Sequence, residues 1–144
     1  SVALLGGYSG YGIKTVSPLE GIKNKVSQNT QVLFTEGCRI KSNSKDEFDK
    51  AVKIARESEV AVLFMGNLSS EFGSQEDTEG ENKDRCNLNL PGVQEELIKT
   101  IADTETPVIV VLINGSAVIM KNWIDILIDI GLSLLIIFYL LLLF

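Results

Sequence analysis

The sequence predicts an α/β domain built on a mostly parallel open sheet with helices on both faces, an α/β sandwich incomplete at both ends. Short, wholly apolar runs alternate with segments whose apolar residues recur at helical spacing. Two of the runs, Val60 to Met65 and Val108 to Ile113, carry no polar residue, as expected of parallel strands covered on both faces. Glycine, proline or Asn114-Gly115-Ser116 punctuates the chain between these runs, so each strand has a defined end.

In chain order, Val2 to Leu5 is a short apolar run stopped by Gly6 and Gly7, the pattern of a buried strand that turns sharply. The glycines that follow form neither GxGxxG nor GK[ST], and G-x-S-x-G fails at Tyr11, so no phosphate loop or nucleophile elbow is drawn. Ser17-Pro18-Leu19-Glu20 reads as an N-cap, a proline at the first helical position and an acid in the first turn. It opens a helix through Val26 with Leu19, Ile22 and Val26 on one face. Gln31 to Thr35 is a predicted strand, and Ser44 with Glu47 forms a capping-box signature for a helix carrying Phe48, Val52 and Ala55. Pro91 opens a helix with Val93, Leu97, Ile98 and Ile101 at apolar spacing and Glu95 and Glu96 near its positive end. The chain begins on an apolar run without a charged leader, and residue 1 reads as an internal position of something longer.

Composition excludes several function classes. Among 144 residues, 13 are basic and 19 acidic, a net charge of −6 that gives no electrostatic footprint for nucleic acid. The two cysteines, Cys38 and Cys86, stand far apart and offer neither a CxxC pair nor zinc-ligand spacing. Histidine is absent, which removes the usual base of Ser and Cys nucleophiles and the commonest metal ligand. Chemistry in this chain rests on carboxylates, Lys, Tyr or Arg.

The charge is concentrated between Glu71 and Pro91, a loop that leaves the end of a predicted strand. Glu71, Glu76, Asp77, Glu79, Glu81 and Asp84 face only Lys83 and Arg85 there, so this loop holds −4 of the chain's −6. In open parallel sheets, sites form beyond the C-terminal ends of strands. Crowded carboxylates raise one another's pKa, which keeps one protonated for acid catalysis; a simply solvated acidic loop is the alternative. A calcium loop with Gly80 at its sixth position puts Gln75 first and Cys86 twelfth, where acids are required, so no metal is expected.

One resemblance goes further than these patterns. The run Glu79-Gly80-Glu81-Asn82-Lys83-Asp84-Arg85, then Leu88-Asn89-Leu90-Pro91-Gly92-Val93-Gln94, with PVIVVLINGSAV from Pro107 to Val118, resembles the C-terminal α/β sandwich domain of family-3 glycoside hydrolases. SPLEGIK from Ser17 and the block from Ala51 to Gly66 extend the likeness to nearly everything from Val2 to Trp123. That family includes β-glucosidases and β-xylosidases. The resemblance implies a retaining mechanism in which an Asp on a preceding (β/α)8 barrel attacks the anomeric carbon, while a Glu on this domain protonates the leaving oxygen and then activates water. The Glu of G-E-x-x-D-R falls on Glu81, with Glu79 in reserve, and Asp84 and Arg85 would support the loop or contact sugar hydroxyls. Carbohydrate substrate and the barrel are the implied partners, and no cofactor is required.

Two departures stand out. No barrel accompanies this domain, so the nucleophile is missing and the chain alone is expected to be inactive. After Trp123 the family would continue with a strand and a Gly-rich turn, whereas Asp125 to Phe144 is almost wholly apolar. The sequence therefore divides into residues 1–124, a partial sandwich, and residues 125–144, a tail. The tail reads as a truncation or frame-shift product, a membrane anchor or a buried core helix. A membrane-tethered, non-catalytic module whose acidic loop binds a cation or a partner is the competing functional reading.

Overall fold

The structure, a computed structural model, describes residues 14–69, 75–80, 83–129 and 134–139. The predicted strand at Val2 to Leu5 lies outside the described residues. Three parallel strands form the sheet: β1 (Ala61–Gly66), β2 (Val108–Asn114) and β3 (Leu134–Tyr139), in the order β1-β2-β3. The register sets Gly66 beside Ile113 and Asn114 beside Tyr139, so the three strands end together. This is the α/β architecture read from the alternation of periods.

Helix α1 (Pro18–Lys25) is held by local chemistry. The Ser17 hydroxyl accepts a hydrogen bond from the Glu20 amide at 3.2 Å, Pro18 presets the first turn, and Lys23 and Lys25 sit at the negative end. None of its residues is fully buried, and Val26 falls just past it in extended backbone. Helix α2 (Phe48–Arg56) buries Phe48, Ala51 and Ala55, spaced three and four apart. The capping box does not form. Ser44 Oγ accepts instead from the Asp46 amide at 3.2 Å, and the Glu47 carboxylate takes hydrogen bonds from Thr35 and Lys50. The helix consequently starts one turn later than the signature implies.

Gln31 to Thr35 is not a strand. Its backbone joins no ladder among the described residues, and Leu33 and Phe34 are exposed. An apolar run becomes a strand only when its backbone pairs with another segment, and this one pairs with none of the described strands.

Helix α3 (Gln94–Ala102) is the centre of the core. Leu97, Ile98 and Ile101 are almost fully buried, each stabilising the fold by about 1.5–3 kcal/mol. They pack with Ala61, Leu63 and Met65 of β1, Val108, Val110 and Leu112 of β2, and Trp123 and Leu127. The alternate residues of β1 face the other way, and Phe64 is 39% exposed, so β1 is less enclosed than its unbroken apolar sequence implies. Pro91 precedes α3 without opening it. Gly92 sits at φ +62°, outside the helical region, and a Cβ there would come within 2.5 Å of the Ser42 carbonyl oxygen.

The apolar tail enters the fold in part. Helix α4 (Ile124–Asp129) buries Leu127, and β3 extends the sheet through backbone pairing with β2. Among the described residues no helix is long and apolar enough to cross a membrane.

Candidate functional site

Two loops leave the sheet side by side at its C-terminal edge. One follows β1 from Asn67, and the other is the turn Asn114-Gly115-Ser116 after β2. The first is anchored at its root by Gln94. The Gln94 carbonyl oxygen accepts from the Gly66 amide at 2.8 Å, and its Nε2 donates to the Gly66 carbonyl at 2.9 Å. The same Nε2 reaches the carbonyls of Ile40 and Pro91, both at 3.1 Å. A buried side-chain amide thus takes the place of a neighbouring strand. A Cβ on residue 66 would lie 1.8 Å from the Ile113 carbonyl oxygen, so β1 can close on β2 here only with glycine.

Beyond this root, Thr78 holds the returning chain. Its hydroxyl accepts from the Leu68 amide at 2.9 Å and donates to Asn67 Oδ1 at 3.1 Å, while its own amide donates to the Leu68 carbonyl at 2.8 Å. Asn67 and Asn114 are both about 5% exposed. Each begins an Asn-x-Ser sequence, and both are committed to the interior rather than to a surface loop.

Glu79 is held by the protein at both carboxylate oxygens. One carboxylate oxygen accepts from the Gly115 amide at 2.8 Å, and the other accepts from the Ser116 hydroxyl. Arg85 stands 3.5 Å from that second oxygen, and the two charged side chains are only 10% and 11% exposed. The Arg85 guanidinium does more than pair with Glu79. Its Nη1 donates to Ser116 Oγ at 2.6 Å and to the Ala117 carbonyl at 2.8 Å, and its Nη2 donates to the Asn89 carbonyl at 3.0 Å. Asn114 Nδ2 donates to the Ser116 carbonyl at 2.6 Å and fixes the turn that receives both residues. Removing one member of so enclosed a pair leaves the other charge uncompensated, a loss of about 3–5 kcal/mol.

The predicted site residues therefore separate. Glu79 and Arg85 come together, and Asp84 is exposed to solvent. Glu81 lies outside the described residues, but Gly80 and Lys83 on either side of it are joined by an antiparallel bridge, with the Lys83 amide 3.1 Å from the Gly80 carbonyl. Among the described residues no group of three His, Cys, Asp or Glu side chains could hold a metal ion. Sequence reasoning missed Gln94, Gly115 and Ser116. The signal for the last two was their place directly after a parallel strand, at the same edge as the acidic loop.

Comparison with known proteins gives one consistent result. Residues 1–130 match the family model described as the glycosyl hydrolase family 3 C-terminal domain. A β-xylosidase of Formosa agariphila is 46% identical over 112 residues, covering 78% of this chain and 14% of that protein. The thermostable β-glucosidase B of Acetivibrio thermocellus is 33% identical over 139 residues, covering 87% of this chain and 17% of the relative. The chain thus spans about one-sixth or less of the length of these relatives. The solved structure of a family-3 exo-β-xylosidase in complex with a xylobiose aziridine probe shares the fold. Its TM-score is 0.75 at 24% identity, covering 92% of this chain and 16% of that one.

Proposed function

Because the chain belongs to the C-terminal domain family of glycosyl hydrolase family 3, we propose that it is part of a retaining glycoside hydrolase acting on β-linked xylosides or glucosides. In this reading Glu81 is the general acid/base. The nucleophile is an Asp on a (β/α)8 barrel outside these residues, and the active site lies between the two domains. The two carboxyls of a retaining enzyme stand about 5–5.5 Å apart, so neither histidine nor metal is needed.

The observation that carries the assignment within the loop is the engagement of Glu79. Both of its oxygens accept hydrogen bonds from the protein, and its side chain is almost wholly enclosed. A general acid must present a proton to the leaving oxygen of the sugar and later take one from water. This engagement counts against Glu79 in that task and supports Glu81, the residue at the matching position of the motif. Arg85 and Glu79 tie the chain on both sides of Glu81 to the end of β2, and Asp84 remains free to contact sugar hydroxyls or solvent. The names of the relatives support β-xylosides and β-glucosides as the substrate class.

Glu81→Gln in a protein that joins this domain to its barrel tests the reading. Hydrolysis of substrates with poor leaving groups, which need protonation, is expected to fall about 10²- to 10⁴-fold, with a much smaller loss for activated aryl glycosides. An unchanged rate on poor leaving groups removes Glu81 from the mechanism.

A further inference from the structure

The turn after β2 does more than cap a strand. Glu79 stands two residues before Glu81 and Arg85 four residues after it, and both reach the same short segment, Gly115 to Ala117. The Ser116 hydroxyl is shared between them: it accepts from Arg85 Nη1 at 2.6 Å and donates to the Glu79 carboxylate. The Gly115 amide holds the second Glu79 oxygen, and a Cβ on residue 115 would stand 3.4 Å from that oxygen, so the carboxylate lies directly against the turn. These contacts span 31 to 37 positions of sequence and fasten both flanks of one loop segment to the turn that follows β2.

We propose that Ser116, acting through Glu79 and Arg85, is a positioning residue for the general acid/base. The inference rests on the reading of Glu81 given above. A carboxyl that serves first as acid and then as base must return to one place relative to the sugar, within about 0.5 Å. Crowded carboxylates repel one another, and pairing one of them with a cation offsets that repulsion. A hydroxyl that accepts from a cation and donates to an anion joins the two flanks by charge-assisted hydrogen bonds on both sides. It does so from the turn that directly follows β2, which the Asn114 side chain holds. None of the three residues needs to touch the substrate.

The test uses the barrel-linked protein and two β-xylosides, one with an activated aryl leaving group and one with an alkyl leaving group. Ser116→Ala removes the shared hydroxyl with little change in volume, and Ser116→Thr restores a hydroxyl. The expected result is a loss of kcat/KM about tenfold larger on the alkyl glycoside than on the aryl glycoside for Ser116→Ala, with recovery of the ratio in Ser116→Thr. In a Glu81→Gln background, Ser116→Ala is expected to cause no further selective loss, because the group it positions is already gone. A merely structural role would lower both substrates equally, in step with the fraction of folded enzyme measured by thermal unfolding, and that result overturns the inference while leaving Glu81 in place. If Glu81→Gln itself causes no selective loss, the reading of Glu81 fails. If Glu79→Gln then shows the selective loss alone, Glu79 is the acid and the positioning role is overturned with it.

Discussion

Gln94 holds both backbone groups of Gly66 at once, its carbonyl oxygen on the Gly66 amide at 2.8 Å and its Nε2 on the Gly66 carbonyl at 2.9 Å. The loop that carries the acidic residues starts directly after this glycine, so the side chain of α3 decides where that loop leaves the sheet. Gln94→Ala strands a buried donor and a buried acceptor on Gly66, at an expected cost of about 2–3 kcal/mol. Gln94→Glu is expected to be worse, although it is closer in shape. It keeps an acceptor for the Gly66 amide but places a carboxylate oxygen against the carbonyls of Ile40, Gly66 and Pro91. Chemical unfolding of the two variants checks the order; equal stability would contradict it.

Glu47 provides a pH-dependent contact. The hydrogen bond from Lys50, then that from the Thr35 hydroxyl, hold its carboxyl below the ordinary glutamate value of 4.5. A depressed carboxylate pKa contributes stability that is present above the unfolded value and lost as pH falls through the folded one. The contribution is small because the site is exposed. Thr35→Ala is therefore expected to move the Glu47 midpoint upward, toward 4.5, in a titration followed by NMR. A midpoint that does not move would show that the Thr35 bond is not made.

The two thiols should differ in reactivity. Burial, and after it the carboxylate of Glu36, push the half-buried Cys38 above its ordinary pKa, which lowers its thiolate fraction. Cys86 is exposed. With a limiting amount of iodoacetamide at about pH 8, near the ordinary thiol range, Cys86 is expected to be alkylated first, as read by peptide mass spectrometry. Faster labelling of Cys38 would contradict its placement beside Gly37 and the core.

Most of the scaffold was legible because its elements announce themselves locally. Ser17-Pro18 caps α1 as its residue types require, and the apolar runs of β1 and β2 form paired parallel strands. What was not legible depends on partners distant in sequence. Val32, Leu33 and Phe34 look like a strand, yet pairing is a property of two segments and not of one. Ser44 and Glu47 have the spacing of a capping box, but Glu47 finds Thr35 and Lys50 instead. The site followed the same rule. The carboxylates and Arg85 could be read from the motif, while the part played by Ser116 arises from a contact 37 residues from Glu79 and has no local signature.

The central claim is that Glu81 gives and takes the proton, and azide tests it most directly. In a retaining enzyme without its acid/base, the glycosyl-enzyme formed from an activated substrate waits for a nucleophile that needs no deprotonation. Glu81→Gln in the barrel-linked protein, supplied with an aryl β-xyloside and sodium azide, is expected to regain turnover and to release the β-configured glycosyl azide, identified by NMR. Full turnover without azide, with free sugar as the sole product, would contradict the claim and place the acid/base on another residue.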